Sequence, residues 1–174
     1  IADYSEAIRL NPDYGETYHY LGSAWLQRGD LKKALTACNE AIRLDPKSAP
    51  PFYFRGLAWI ELNDLAKALT DCNEAIRLDP KDPEAYCYRG YVWEARGAFD
   101  KAIIDLNEAI RLDPKLVEAF QCRGSVWQST GDLHKALADF EEAIRLNPKH
   151  AGAYSARATL WNARGRWAKA LADF

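Results

Sequence analysis

The sequence has no methionine, and its 174 residues carry almost no net charge. Lys and Arg number 23 against 25 Asp and Glu, a formal charge of -2. Nucleic-acid-binding domains carry a basic surplus, so this balance argues against that class. No apolar run approaches the roughly 18 residues that a membrane-crossing helix needs, and no leader segment opens the chain. Neither nucleic-acid binding nor membrane insertion is expected. Histidine is scarce as well. His19, His134 and His150 stand at unrelated places, and with the 4 cysteines they give no spacing that suits a metal. There is no phosphate loop and no nucleophile elbow. No cofactor is implied, and an enzyme reading has little support. Without a Met at position 1, the chain reads as a piece of something longer.

What is present is periodic. The composition is globular, with 48% hydrophobic and 28% charged residues. The string AIRLNP or AIRLDP occurs at 7–12, 41–46, 75–80, 109–114 and 143–148, each copy 34 residues after the last. A fixed period of this length marks a repeat architecture. The chain divides into a partial repeat 1–14, full repeats 15–48, 49–82, 83–116 and 117–150, and a partial repeat 151–174.

Each repeat holds two helical segments. In the first full copy they are predicted at about 16–28 and 31–44, with Tyr18, Leu21, Gly22 and Trp25 on one face and Leu31, Ala34, Leu35, Cys38, Ala41 and Ile42 on the other's. Gly29 offers a left-handed stop between them, Asp30 an N-cap oxygen, and Asp45-Pro46 an end. Pro50, Pro51 and Pro83 fall in opening turns, where a missing N–H costs nothing. Small residues recur where two helices meet: Gly22, Gly56, Gly90, Gly124 and Ala158 on the first helix, Ala34, Ala68, Ala102, Ala136 and Ala170 on the second. Trp25, Trp59, Trp93, Trp127 and Trp161 follow three residues after each Gly or Ala and are expected to fill core space; Trp167 takes the slot of Leu31, Leu65, Phe99 and Leu133.

This pattern closely resembles the tetratricopeptide repeat, whose signature is W-x2-L-G-x2-Y, then A-x3-F, then A and P. The copies read Tyr18-x2-Leu21-Gly22-x2-Trp25, Phe52-x2-Arg55-Gly56-x2-Trp59, Tyr86-x2-Arg89-Gly90-x2-Trp93, Phe120-x2-Arg123-Gly124-x2-Trp127 and Tyr154-x2-Arg157-Ala158-x2-Trp161. The departures are Trp for Tyr, Arg for Leu in all but the first of these, and Cys38 and Cys72 for a large aromatic. The resemblance implies an all-α, right-handed superhelical solenoid of antiparallel helix pairs. It also implies a protein–protein interaction scaffold that takes an extended peptide or partner helix on the concave side, along the first helices. Two alternatives stay open: a substrate-recruiting or regulatory arm of an enzyme whose catalytic domain lies outside this sequence, and a self-assembling structural module.

On that concave side the first three copies are aromatic, with Tyr20, Tyr53, Phe54, Tyr88 and Tyr91 expected to form a partly exposed strip that binds the partner. The last two copies are small and polar there, with Gln121, Cys122, Ser125, Ser155, Ala156 and Thr159. Nearby charges are acidic: Glu16, Glu61, Glu84, Glu94 and Glu118. Some family members grip a chaperone's C-terminal carboxylate with Lys, Asn and Arg, and those Lys and Asn are missing here. A neutral or basic protein or peptide with apolar anchors is the expected partner.

The Arg that replaces Leu needs a counter-charge near the core. Asp71, Asp105, Asp139 and Asp173 lie sixteen residues after Arg55, Arg89, Arg123 and Arg157, while the first copy has Leu21 and Ala37. Both members change together, so four salt bridges within repeats are predicted. Cys38 and Cys72 read as buried hydrophobes; with Cys87 and Cys122 they make four free thiols, which suit a reducing, cytoplasmic setting. Ile1 and Phe174 both fall inside second helices, so apolar faces at Tyr4, Ala7 and Ile8 and at Trp161, Trp167 and Leu171 are expected to be exposed, with end-to-end self-association as one outcome.

Overall fold

The computed structural model describes residues 1–173; Phe174, which the sequence places in the last second helix, lies outside them. Among the described residues there is no strand. The helices are α1 Ala2–Leu10, α2 Gly15–Gln27, α3 Leu31–Leu44, α4 Pro50–Glu61, α5 Leu65–Leu78, α6 Pro83–Ala95, α7 Phe99–Leu112, α8 Val117–Thr130, α9 Leu133–Leu146, α10 Ala151–Ala163 and α11 Trp167–Ala172. The turn between paired helices needs one left-handed residue. Gly29 supplies it at φ +75°, and Asn63 takes the same place at φ +59° in the next copy. Asp30, Asp64 and Asp132 then cap α3, α5 and α9 by accepting from the backbone N–H three residues on.

Each first helix packs on its own second helix, on the second helix before it, and on the first helices of neighbouring pairs. Among the described residues, the backbones of α3, α5, α7 and α9 stay more than 8 Å apart, Cα to Cα. Packing the first helices against each other while the second helices stay apart curves the stack. The first helices α2, α4, α6, α8 and α10 therefore line the inner face. The pairs close tightly because the first helix carries a small residue over the second. A Cβ added at Gly22 would come within 2.7 Å of Cys38 Sγ, and one at Gly124 within 2.5 Å of a Phe140 ring carbon. At Gly56 the distance to Cys72 Sγ is 3.2 Å. Cys38 and Cys72 are fully buried, and burial pushes both thiols up to about 12. All four cysteines are free thiols.

The Arg column sits on the outer side of this contact. Arg55, Arg89, Arg123 and Arg157 each make a two-pronged pair with Asp71, Asp105, Asp139 and Asp173, at 2.5 to 2.9 Å. The Asp carboxylates are buried, and the Arg side chains remain about one-fifth exposed. The remaining prong was not expected. Arg55 Nη1 donates to Asn39 Oδ1 at 2.7 Å, Arg89 to Asn73 at 2.9 Å and Arg123 to Asn107 at 2.7 Å. Each of these Asn belongs to the preceding second helix. So Arg55 on α4 ties α3 to α5, two helices whose backbones do not approach each other.

Trp59, Trp93, Trp127 and Trp161 pack against the core as expected, but the column stays at its margin. Trp25, Trp59, Trp93, Trp127 and Trp161 are half-buried, and a Lys ammonium lies over each ring. Lys33, Lys67, Lys101, Lys135 and Lys169 approach the centroids to 4.2, 4.4, 4.6, 4.3 and 4.5 Å. Trp167 is a correction: it is 65% exposed, with no helix beyond α11 among the described residues, whereas Leu133 in the same slot is half-buried against the cluster of Ala136, Phe140 and Leu160. Leu171 is exposed beside it. At the other end the expected exposure fails, since Tyr4, Ala7 and Ile8 are half-buried. Tyr4 stacks on Tyr20 at 5.9 Å and 10°.

Candidate protein-interaction groove

The inner face carries a chain of ring contacts that crosses four helices. Tyr4 of α1 stacks on Tyr20 of α2, and Tyr20 lies 4.1 Å from His19. His19 faces Phe54 of α4 at 6.2 Å and 14°. Phe54 meets Tyr53 edge-on at 4.9 Å, and Tyr53 stacks on Tyr88 of α6 at 4.9 Å. The helical spacing places neighbouring residues 100° apart, so the two rings of an adjacent pair face different directions. Tyr20 is 46% and Tyr91 40% exposed; Phe54 and Tyr88 are half-buried. Tyr53 does not belong to the exposed strip. It is 7% exposed, held as a platform beneath Tyr88 by the close approach of α4 and α6.

Two cavities open along this row. One of 740 Å³ runs from Asp13 and Glu16 past His19 and Tyr20 to Tyr53 and Phe54. A smaller one of 230 Å³ lies between α4, α6 and α8. Neither is lined by a Lys or Arg. Burial pushes the Tyr53 and Tyr88 phenols up, helped at Tyr53 by Asp82 and Glu84 and at Tyr88 by Cys87 and then Glu118 and Glu84, so both stay neutral. Burial lowers His19, against an opposing pull from Glu16. Further along, burial raises Glu94, which accepts from the Cys122 thiol at 3.3 Å. The last two copies present only small and polar groups.

Models of the tetratricopeptide repeat match residues 15–48, 83–116 and 117–150, and a TPR-repeat model matches 56–94. The chain belongs to the tetratricopeptide-repeat family. No curated protein matches it in sequence. Among solved structures it is similar to TTC0263, a thermophilic TPR protein of Thermus thermophilus, at 23% identity over 91% of this chain and 87% of that one, with a TM-score of 0.85. It is similar to YrrB, described as a TPR protein with an unusual peptide-binding site, at 22% identity over 98% and 88%, TM-score 0.60. It also matches the APC/C hetero-tetramer Cut9-Hcn1 at 16% identity, covering 98% of this chain and 34% of that one, TM-score 0.86. These likenesses establish the tetratricopeptide solenoid, a fold typical of protein–protein interaction.

Within this tetratricopeptide array the expected site residues separate by depth. Tyr20, Phe54, Tyr88 and Tyr91 reach the inner surface, and Tyr53 supports them from below. His19, one of the concave first-helix positions read from the sequence, joins the groove, and so does Tyr4, which sequence reasoning left out. The signal for His19 was its place beside Tyr20 in the column that holds Tyr53. Tyr4 gave none, since it occupies the core position of Cys38 and Cys72. Among the described residues no group of three or more His, Cys, Asp or Glu could hold a metal. No helix there is long and apolar enough to cross a membrane.

Proposed function

We propose that this tetratricopeptide array is an interaction scaffold whose inner groove takes an extended peptide, or one face of a partner helix, of neutral or basic character with apolar anchors. One observation carries the reading: a continuous ring ladder, open at Tyr20, Phe54 and Tyr88, lies among carboxylates with no cation lining its cavities, and Tyr91 is exposed further along α6. Aromatic side chains in partly desolvated grooves dominate many interfaces, and a field of one sign selects the opposite one. A cytoplasmic setting is part of the proposal, in keeping with four free thiols. The experiment is selection from a random peptide library on the full chain, followed by calorimetry against Phe54→Ala. Enrichment of acidic, non-aromatic sequences, or binding indifferent to Phe54, would count against the groove.

A second reading rests on a separate observation. α11 turns Trp167 and Leu171 to solvent at 65% and 74% exposure. The first full pair has a groove lined by Tyr18, Leu21, Trp25 and Ala37 on its outer side. We infer that one copy's α11 can seat against another's first pair, joining chains end to end. Light scattering over a concentration series tests this: Trp167→Asp abolishes any concentration-dependent growth in mass, and a strictly monomeric parent chain refutes it.

A further inference from the structure

The 230 Å³ cavity between α4, α6 and α8 differs from every other stretch of the groove. Its walls are rings. Tyr53 and Tyr88 stack at 4.9 Å and 23°, and Phe54 stands at 57° to Tyr88 with centroids 6.1 Å apart. Two carboxylates meet at this cavity from different helices, Glu84 in the first turn of α6 and Glu118 in the first turn of α8. Neither forms a salt bridge among the described residues. The remaining polar lining group, the Cys87 thiol, is pushed up by burial first and then by the negative charge of Glu118 and Glu84, so it stays neutral.

The same column elsewhere lacks this combination. Glu16 accepts from the Tyr14 hydroxyl, and Pro50 stands where a second carboxylate would be. Gly152 replaces the carboxylate at α10, with Gln121, Cys122, Ser155 and Ala156 in place of rings. The larger cavity also gathers rings, Tyr14, Tyr20, Tyr53 and Phe54, and the carboxylates Asp13, Glu16 and Asp45, but spreads them over 740 Å³; between α4 and α8 three rings and two ion-pair-free carboxylates share 230 Å³. That volume equals roughly seven or eight water molecules at about 30 Å³ each, which accommodates one long side chain and no folded element.

Resting on the groove reading above, we propose that this cavity is a subsite for one basic side chain, Lys or Arg, of the bound segment. The alkyl stem lies along Phe54, the cationic head faces the Tyr88 ring, and Glu84 and Glu118 accept its N–H groups. Ring quadrupole and carboxylate attract the same charge, and neither attracts a neutral side chain of equal length. The subsite fixes register: the basic residue sits at α4–α8, and apolar anchors toward Tyr20 lie on one side of it.

The test uses the full chain with ring-labelled Tyr and Phe, followed by NMR. The probes are acetylated, amidated pentapeptides with alanine around a central Lys, Arg, norleucine or Glu. Norleucine keeps the stem and drops the charge. The Lys and Arg peptides should move the Tyr88 and Phe54 resonances and bind at least about tenfold tighter than the norleucine and Glu peptides. Glu84→Gln with Glu118→Gln should abolish that preference while a melt shows the fold intact. Whichever of Lys and Arg binds tighter names the preferred cation. Equal binding of the norleucine peptide, a preference that survives the double Gln variant, or no response of Tyr88 and Phe54 to either basic peptide overturns the subsite. The groove reading fails separately, when no library peptide of any composition perturbs Tyr20 or Tyr91.

Discussion

The outer seam reads the same in four successive copies, whereas the inner groove changes along the same helices. On the seam, Arg55, Arg89, Arg123 and Arg157 hold their Asp partners with near-identical geometry. In the groove, one column runs Tyr20, Phe54, Tyr88, Cys122, Ala156. A seam residue meets the same neighbours in every repeat, so the nearest-neighbour geometry dictates it. A groove residue meets solvent or a partner, and each copy is free to differ. Sameness therefore marks stability here, and the varying column is where the proposed recognition would be written.

The sharpest way to break the comparison is within the seam. Asp105→Ala leaves the Arg89 guanidinium without its buried carboxylate, and should lower stability by about 3 kcal/mol in urea denaturation. Arg89→Leu with Asp105→Ala copies Leu21 and Ala37 and should lose less than the single change. A double variant as damaged as the sum of both singles would mean that the seam is not acting as a pair. Next comes the helix contact. Gly124→Ala drives a Cβ to 2.5 Å from Phe140 and should cost about 1–3 kcal/mol by the same assay. Gly56→Ala, facing Cys72 Sγ at 3.2 Å, should cost clearly less.

The groove should answer to binding instead. Phe54→Ala should weaken a selected peptide by more than about 1 kcal/mol in calorimetry, and Thr159→Ala should leave it unchanged. Equal losses at both positions would erase the distinction between the aromatic and polar halves. The smallest effect is in pH. Burial, then the Glu84 carboxylate beside it, pushes Asp82 from 3.8 up to about 7. The folded state thus holds this proton more tightly than the unfolded chain, and the associated stability is lost as pH rises from about 4 to about 7. Burial lowers His19, whose contribution runs the opposite way and is lost as pH falls below about 6.5. Comparing Asp82→Asn with the parent isolates the first contribution. The variant keeps a capping oxygen for the Glu84 N–H and should gain on the parent in Tm as pH is raised.

Much of this was legible in the sequence because the repeat supplies its own controls. Helix pairs, Gly29-type stops and Asp caps follow from local chemistry, and Arg–Asp partners were found because Leu21 and Ala37 change together. The Asn39, Asn73 and Asn107 column was equally regular, yet its link to Arg crosses a repeat boundary, and the fourth copy has Glu141 there. The Lys over each Trp lies eight residues on, in another helix, and only the pair geometry brings them together. Tyr53 was misplaced for a different reason. Tyr53 and Phe54 are sequence neighbours, and which of them faces outward depends on how far α6 rotates over α4, a quantity no single helix encodes.

The Arg forks also make the solenoid a spring with clipped coils. Because the backbones of the second helices stand apart, changing the curve changes their spacing, and at Arg55, Arg89 and Arg123 any spreading must stretch a side chain anchored at both neighbours. Leu21 has no such grip on α1 and α3, with Ser5 and Ala37 standing where the anchors are elsewhere. Arg157 grips only Asp173, with Glu141 where the Asn anchor is elsewhere, so an array pulled from its ends should yield first at the two unclipped junctions, around α2 and around α10, while the three clipped joints carry the load together.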